Sequence, residues 1–225
     1  MKPTPLMVDL TGKNAVIVGG GKVAEKRARV LVESGALVTI ISPTITQALQ
    51  RKIGHSTIEW KQKDFDSSDV QHTYLVVIAT DDEGTNEQIL AACEHVPLVN
   101  VASKAERGNL HFPGHFSRGK LSVAVSTNGA SPMLTSRIKE ELEQKYDEDY
   151  GVYIDFLFEC RRLIKQKPFA SDEKRLILQA LLDEAFFDTE KQQELRIQID
   201  RSEEGGDTLE WIDRQTSGVG SGSQV

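Results

Sequence analysis

The residues whose spacing points most directly to chemistry are Gly19, Gly21 and Ala24, within Val18-Gly19-Gly20-Gly21-Lys22-Val23-Ala24. They fit the Gly-x-Gly-x-x-Gly/Ala form of a dinucleotide fingerprint. In that form Gly19 permits a tight turn, Gly21 lets a pyrophosphate reach the backbone, and Ala24 lets helix and strand pack closely. Free N–H groups and the positive end of a helix dipole then face the phosphates. A second chemical pair is Asp81–Asp82, which follows the apolar run Tyr74–Thr80. Carboxylates after a parallel strand lie where doubly wound sheets bind ligands, and Thr80 is counted with the cofactor contacts there. The same acidic pair also suits the N-terminus of a helix at Gly84–Glu94. Farther on, Ser126, Thr127 and Asn128 form a polar turn, and no base stands beside Ser126 at nucleophile-activating spacing.

These groups need elements to hold them. Ala15–Val18 is a β-branched strand, and Val23, Ala24, Ala28, Leu31 and Val32 share one helical face after the glycines. Ser34–Gly35 stops that helix, and Leu37–Ile41 is a second strand that closes a βαβ unit. A carboxylate is expected at the end of strand two to hold the ribose hydroxyls, but Ser42-Pro43-Thr44 stands there. Ser42, or backbone groups at Pro43 and Thr44, can bond the ribose instead. No arginine follows to take a 2′-phosphate, which favours NAD over NADP. A short helix at Thr44–Lys52, strands at Thr57–Lys61, Tyr74–Thr80 and Pro97–Val101, and the helix between the last two complete a parallel α/β pattern.

The pattern changes after residue 113. Leu110–Pro113 and Leu121–Ser126 are expected to be extended around a loop, Thr127–Ala130 to turn, and Ser131–Pro132 to open a helix to Tyr146. The remainder is helical, with Ser171 expected as a cap, and the aromatics there are expected in the core. Residues 202–225, with Gly205–Gly206 and the glycine–serine run 217–223, are expected to be flexible, and only Trp211 and Ile212 offer a docking piece. The fold class is therefore α/β, a Rossmann-type parallel sheet followed by a small central region and a helical C-terminal domain.

Composition narrows the function classes. A formal charge of −7 over 225 residues argues against nucleic-acid binding, which needs a basic surface. Cys93 and Cys160 form no disulfide framework and no metal-ligand spacing, so both are expected to be reduced, buried thiols with no metal bound. No apolar run approaches the ~20 residues that span a bilayer. The N-terminal segment lacks a signal-peptide pattern, so the expected location is cytoplasmic, with no membrane partner.

Four stretches together resemble one family: VIVGGGKVAEKRARVL, VVIATDD, VNVASKAERGNLHFPG and LSVAVSTNGASPMLTSRIKEELE. They cover about residues 6–146, and the Ser-Thr-Asn-Gly-Ala-Ser-Pro turn entering a helix is the most restrictive. The chain resembles the precorrin-2 dehydrogenases, which oxidise precorrin-2 to sirohydrochlorin on the way to sirohaem, and it is most similar to the single-function bacterial form. The resemblance implies an NAD-binding domain at 1–113, a dimerisation region at 114–146, a helical domain at 147–201 and a homodimer. It implies cofactor contacts from Lys22, Val23, Pro43 and Thr44, and it makes Ser42 before a proline ordinary, so the missing carboxylate no longer counts against NAD.

Bifunctional relatives, which also insert iron, carry an aspartate at the fourth position of Asn-Val-x-Asp, and here Asn100-Val101-Ala102-Ser103 places a serine there. That departure leaves the proton acceptor open among His111, His115 and Asp81, and argues for a dehydrogenase that passes its product to a separate chelatase. His55, His72 and His95 lie in less suggestive places. A polycarboxylate tetrapyrrole needs cations, and Lys104, Arg107, Arg118 and Lys120 cluster with only Glu106 opposing them in the segment. Lys104, Arg107, Arg118 and Asn128 are the expected substrate contacts. The family's modified serine falls on Thr127, with Ser126 beside it; both join the catalytic candidates, with substrate orientation as their expected role. Two other readings stand beside this one: a bifunctional dehydrogenase and sirohydrochlorin ferrochelatase, and a non-enzymatic NAD-sensing module.

Overall fold

The computed structural model describes residues 3–53 and 58–216. His55 and the glycine–serine run 217–223 lie outside the described residues. The chain divides into two compact units between Phe112 and Pro113.

In the first unit the apolar runs become strands and the periodic segments helices. In order they are β1 (Asn14–Val18), α1 (Lys22–Glu33), β2 (Leu37–Ile41), α2 (Gln47–Lys52), β3 (Ile58–Lys61), β4 (Leu75–Ile78), α3 (Glu83–Ala92) and β5 (Leu98–Val101). The strands form one parallel sheet in the order β3-β2-β1-β4-β5. Both faces are covered, which is why β4 is apolar at every position and β1 from Ala15 onward. Ala15 and Ile17 pack with Ala24, Ala28 and Leu31 of α1 and with Leu49 of α2. Val16 and Val18 pack on the other face with Val70, Ile89 and Cys93. The strand order reverses between β1 and β4, and a sheet that switches direction there opens a crevice at the carboxyl ends of its strands.

The second unit begins with an antiparallel hairpin, β6 (Gly114–Arg118) and β7 (Leu121–Val125), which turns at Gly119 with φ 53°. Among the described residues five α-helices follow: α4 (Pro132–Lys145), α5 (Glu148–Gln166), α6 (Ser171–Ala180), α7 (Thr189–Arg201) and α8 (Gly205–Thr216). Phe156, Phe186, Ile177, Leu195, Ile199 and Ile212 are the buried centre of α5 to α8 and the short turn between α6 and α7. Cys93 and Cys160 are both buried and free, and burial pushes their thiols up to about 11 and about 12, so they stay protonated near neutrality.

Several expectations change here. Leu110–Pro113 is not a strand; the carbonyl of Leu110 accepts from Asn100 Nδ2 at 2.8 Å, and the pairing begins at Gly114. Ser171 is the first helical residue, and Ala170 occupies the cap, its N–H held by the Glu173 carboxylate at 2.8 Å.

The expected flexible tail is corrected most. Residues 205–216 are helical, with Thr208 and Ile212 buried. Gly205 lies so close to α6 that a Cβ there would come 2.6 Å from Cβ of Glu173, and the Gly206 N–H donates to Glu173 at 3.0 Å. Gly205 permits a close helix contact here rather than a linker.

Candidate functional site

At the carboxyl ends of β1, β2 and β4 lies a cleft of about 680 Å³. It brings together every residue expected to touch the cofactor, Gly19, Gly21, Lys22, Val23, Ser42, Pro43, Thr44 and Thr80, and adds Asp81. Gly19 has φ 119°, and a Cβ there would meet the Ala79 carbonyl oxygen at 2.3 Å, so β1 can turn beside β4 only with glycine. Gly21 caps α1 with no side-chain hydrogen bond, and a Cβ built on it meets nothing within 4 Å. Open space over a glycine and an uncapped helix N-terminus suit a pyrophosphate, and Lys22 adds a cation at the first helical position. The residues present therefore fit a dinucleotide.

Gly20, which carries no role in the fingerprint, is the tightest point of the cleft wall. A Cβ there would lie 1.9 Å from the carbonyl oxygen of Thr44, and the Gly20 carbonyl accepts from Thr46 N at 3.0 Å. These contacts seat the β1 turn on the β2 turn. Three glycines in a row were the signal for it, since the fingerprint accounts for only two.

On the β2 side Ser42 is buried, and its hydroxyl donates to the Thr44 carbonyl at 2.7 Å. Trp60 Nε1 donates to the Ser42 carbonyl at 3.0 Å and Gln62 Nε2 to the Pro43 carbonyl at 3.2 Å. With its proton held by the Thr44 carbonyl, the Ser42 hydroxyl offers a ligand only its oxygen as an acceptor. Ser42 shapes the cleft while Pro43 and Thr44 are exposed in it.

On the β4 side Thr80 is fixed by a residue that its spacing gave no reason to single out. The Thr80 hydroxyl donates to Asn86 Oδ1 at 2.7 Å, and Asn86 Nδ2 returns a bond to the Thr80 carbonyl at 3.1 Å. Asn86 is buried on α3, so this pair holds the strand end against the helix. Asn86→Ala removes both bonds to Thr80, leaving its hydroxyl only the Asp82 carbonyl at 3.1 Å, and is expected to cost about 1–3 kcal/mol of stability and to raise the KM for NAD. Thermal melts and steady-state kinetics check it; wild-type values of both would show that Thr80 needs no such brace. Asp82 caps α3 by accepting from Thr85 N at 2.6 Å, and the bonds from Thr85 hold its carboxyl below the usual range. The helix-terminus reading therefore applies to Asp82, whereas Asp81 is exposed in the cleft.

A smaller cleft of about 270 Å³ shares Thr80 and Asp81 with the first and includes Ser103, Lys104 and Arg107. Lys104 pairs with Glu83 and Arg107 with Glu87, both from α3. The first pair holds the Glu83 carboxyl low and the Lys104 ammonium high. The expectation that only Glu106 opposes these cations is thus corrected, because α3 brings two carboxylates from about twenty residues upstream. His111 is exposed on this unit.

The remaining candidates lie on the second unit. Thr127 is a hub: its hydroxyl donates to the Ser131 carbonyl at 3.1 Å, accepts from Ser131 N at 3.1 Å and lies 3.0 Å from the Thr135 hydroxyl. Asn128 has φ 51° and Gly129 φ 84°, which gives an Asn-Gly turn, and the exposed Ser126 hydroxyl accepts from Asn128 N at 3.1 Å. Ser131 caps α4 through Leu134 N, with Pro132 as the first helical residue. Arg118 stacks over Phe116 and pairs with Glu148 at 3.3 Å. His115 is exposed, its Nδ1 3.4 Å from the Pro113 carbonyl oxygen. His111 and His115 therefore belong to different units, despite their nearness in sequence.

A parallel sheet in this order, with a glycine turn and an uncapped helix opening onto the crevice, defines a Rossmann dinucleotide-binding protein. Comparison with known proteins agrees and narrows the class. Residues 6–114 match a family model for NAD(P) binding, residues 118–145 one for the central part of sirohaem biosynthesis proteins, and residues 150–195 the SirC C-terminal domain. A precorrin-2 dehydrogenase of Priestia megaterium is 36% identical over 87% of this chain and 98% of its own length. One from Bacillus subtilis is 32% identical over 70% of this chain and 98% of its own. The solved structure of SirC, a precorrin-2 dehydrogenase, superposes with a TM-score of 0.76 at 35% identity, covering 88% of this chain and all of that one. The chain belongs to the precorrin-2 dehydrogenase family.

Proposed function

We propose that this protein oxidises precorrin-2 to sirohydrochlorin, with NAD held in the larger cleft. The observation that carries the reading is that two concavities, one built for a dinucleotide and one bordered by Lys104 and Arg107, share Thr80 and Asp81. When bound, NAD supplies the hydride acceptor; the substrate gives up two electrons and a proton as hydride, and a second proton to a base or to water. The Gly19–Val23 turn and the Ser42–Thr44 turn hold the cofactor, and the Asn86-braced Thr80 fixes the border between the clefts. Asp81, in the same concavity as Ser103, supplies a carboxylate beside the position where bifunctional relatives carry theirs and serves as the proton acceptor; His111 and His115 are the alternatives. Lys104 and Arg107 take substrate carboxylates by exchanging them for Glu83 and Glu87, and Arg118 and Asn128 are the further substrate contacts of this reading. Ser126 and Thr127 orient groups at the second unit's turn rather than attack.

Residues 114–146 form the homodimer contact in this reading. Helix α4 has no buried residue and exposes Met133 and Leu134, which supports it. The protein works in the cytoplasm and hands its product to a separate chelatase. With Ser103 in place of a carboxylate, and with the two relatives that the chain spans almost in full both named dehydrogenases, the oxidation alone is assigned. Purified protein given precorrin-2 and NAD is expected to generate NADH and sirohydrochlorin together in equal amounts. Absence of both with authentic substrate would overturn the assignment, and iron insertion into sirohydrochlorin without NAD would restore the bifunctional reading.

A further inference from the structure

We infer that Asp64 is the residue that reads the adenosine ribose and selects NAD against NADP. The inference rests on the reading of the larger cleft as the NAD site. A dinucleotide fingerprint needs an acceptor for the ribose hydroxyls near the end of its second strand, usually a carboxylate. Here that turn is Ser42-Pro43-Thr44, and its carbonyls are already engaged: Ser42 by Trp60, Pro43 by Gln62 and Thr44 by the Ser42 hydroxyl.

The neighbouring strand provides the missing group. Strand β3 runs parallel to β2 with Ile41 beside Lys61, and Ser42 N donates to the Lys61 carbonyl at 3.3 Å. Residues after Lys61 therefore emerge at the same end of the sheet as residues after Ile41, and Lys63, Asp64 and Phe65 line the cleft. Within that loop Gln62 is tied to Pro43, and the Lys63 ammonium is held 2.8 Å from the Asp69 carboxylate. Asp64 is exposed and has no hydrogen bond or ion pair with any described residue. The other cleft carboxylates, Asp81 and Asp82, follow β4. On the β2–β3 side the unengaged carboxylate is Asp64.

A carboxylate is acceptor-only, so it suits a ribose hydroxyl, which donates, and it repels a 2′-phosphate, which carries the same sign of charge. Lys63, the lysine nearest in the loop, has its charge answered by Asp69 and gives the phosphate no compensation.

The test is a comparison of dissociation constants for NAD, NADP and 2′-deoxy-NAD, measured by calorimetry on the full chain as wild type, Asp64→Ala and Asp64→Asn. A hydrogen bond to a charged group is worth about 1.5–3 kcal/mol, so wild type is expected to bind NAD roughly 10–100-fold more tightly than 2′-deoxy-NAD. Asp64→Ala should bind the two with equal affinity. Asp64→Asn, which keeps the shape and removes the charge, should bind NADP more tightly than wild type does. An unchanged NAD-to-NADP ratio in both variants, with wild type binding NAD well, overturns the role of Asp64 and leaves the proposed function standing. Failure of wild type to bind NAD at all overturns both.

Discussion

Gly20→Ala is expected to abolish useful NAD binding and to destabilise the first unit at the same time. The added methyl would stand 1.9 Å from the Thr44 carbonyl oxygen and 2.9 Å from the Thr44 carbonyl carbon, both backbone atoms that no rotamer change can move. Either the β1 turn or the β2 turn must shift, and those turns carry Gly19 to Val23 on one side and Ser42 to Thr44 on the other. Overpacking of this kind costs about 1–3 kcal/mol, and a displacement of about 1 Å in a positioning wall costs about a hundredfold in activity. Gly21→Ala separates the two effects. Its methyl meets nothing within 4 Å and its φ of −82° is ordinary, so stability should stay at the wild-type level. Affinity for NAD should still fall, because the methyl occupies the space over the backbone that a pyrophosphate needs. Thermal melts and NAD titration of both variants check this. A Gly20→Ala protein with wild-type melting and wild-type affinity would mean that the two turns are not locked together.

The contrast between these glycines shows what a sequence can carry. Gly19 and Gly21 are legible because a phosphate site demands them at fixed spacing, whatever surrounds them. Gly20 answers to Thr44, more than twenty residues away, and only the pairing of β1 with β2 reveals that neighbour. The parallel sheet was legible for a similar local reason, since strands buried on both faces must be apolar throughout. Of the hairpin, the alternating Leu121–Val125 was legible and its partner was not. Gly114–Arg118 has the composition of a loop, and its strand conformation comes from partnership with Leu121–Val125, whereas the apolar Leu110 and Phe112 pack against the first sheet's core instead. Charge was misread in the same way. Lys104 and Arg107 looked unopposed because Glu83 and Glu87 reach them across the fold rather than along the chain. Asn86 and Asp64 left no trace in spacing, because an amide that braces a strand end and an acid borrowed from a neighbouring strand belong to no periodic pattern.

Ending the chain at Ser202 is expected to unfold the helical region well below the wild-type temperature, although composition marks the removed segment as dispensable. Helix α8 contributes Ile212 to the same core as Phe156 and Ile199, with Leu209 and Trp211 packed against it. Full burial of one such apolar side chain is worth about 1.5–3 kcal/mol, so losing Ile212 and its partners removes several kcal/mol from the unit. Polar ties go with it. Thr208, fully buried, donates to the Ser202 hydroxyl at 3.0 Å, the Gly206 N–H donates to Glu173, and Lys191 donates to the Gln215 carbonyl at 3.2 Å. Each cut leaves a polar group to be solvated anew. For a unit of this size each kcal/mol moves the midpoint by about 4–8 °C, so a fall of about 10 °C or more is expected in the helical transition followed by circular dichroism. Ile212→Ala should move the same transition in the same direction by a smaller amount, since a large-to-small change in a core costs about 2–5 kcal/mol. The NAD cleft lies wholly within the first unit, so NAD affinity measured below the transition should be unchanged in both proteins. A truncated chain that melts with the full-length protein would return residues 203–216 to the status of a tail. If it melts early but keeps NAD affinity, the glycine pair at 205 and 206 is the seat of a helix that completes the second core.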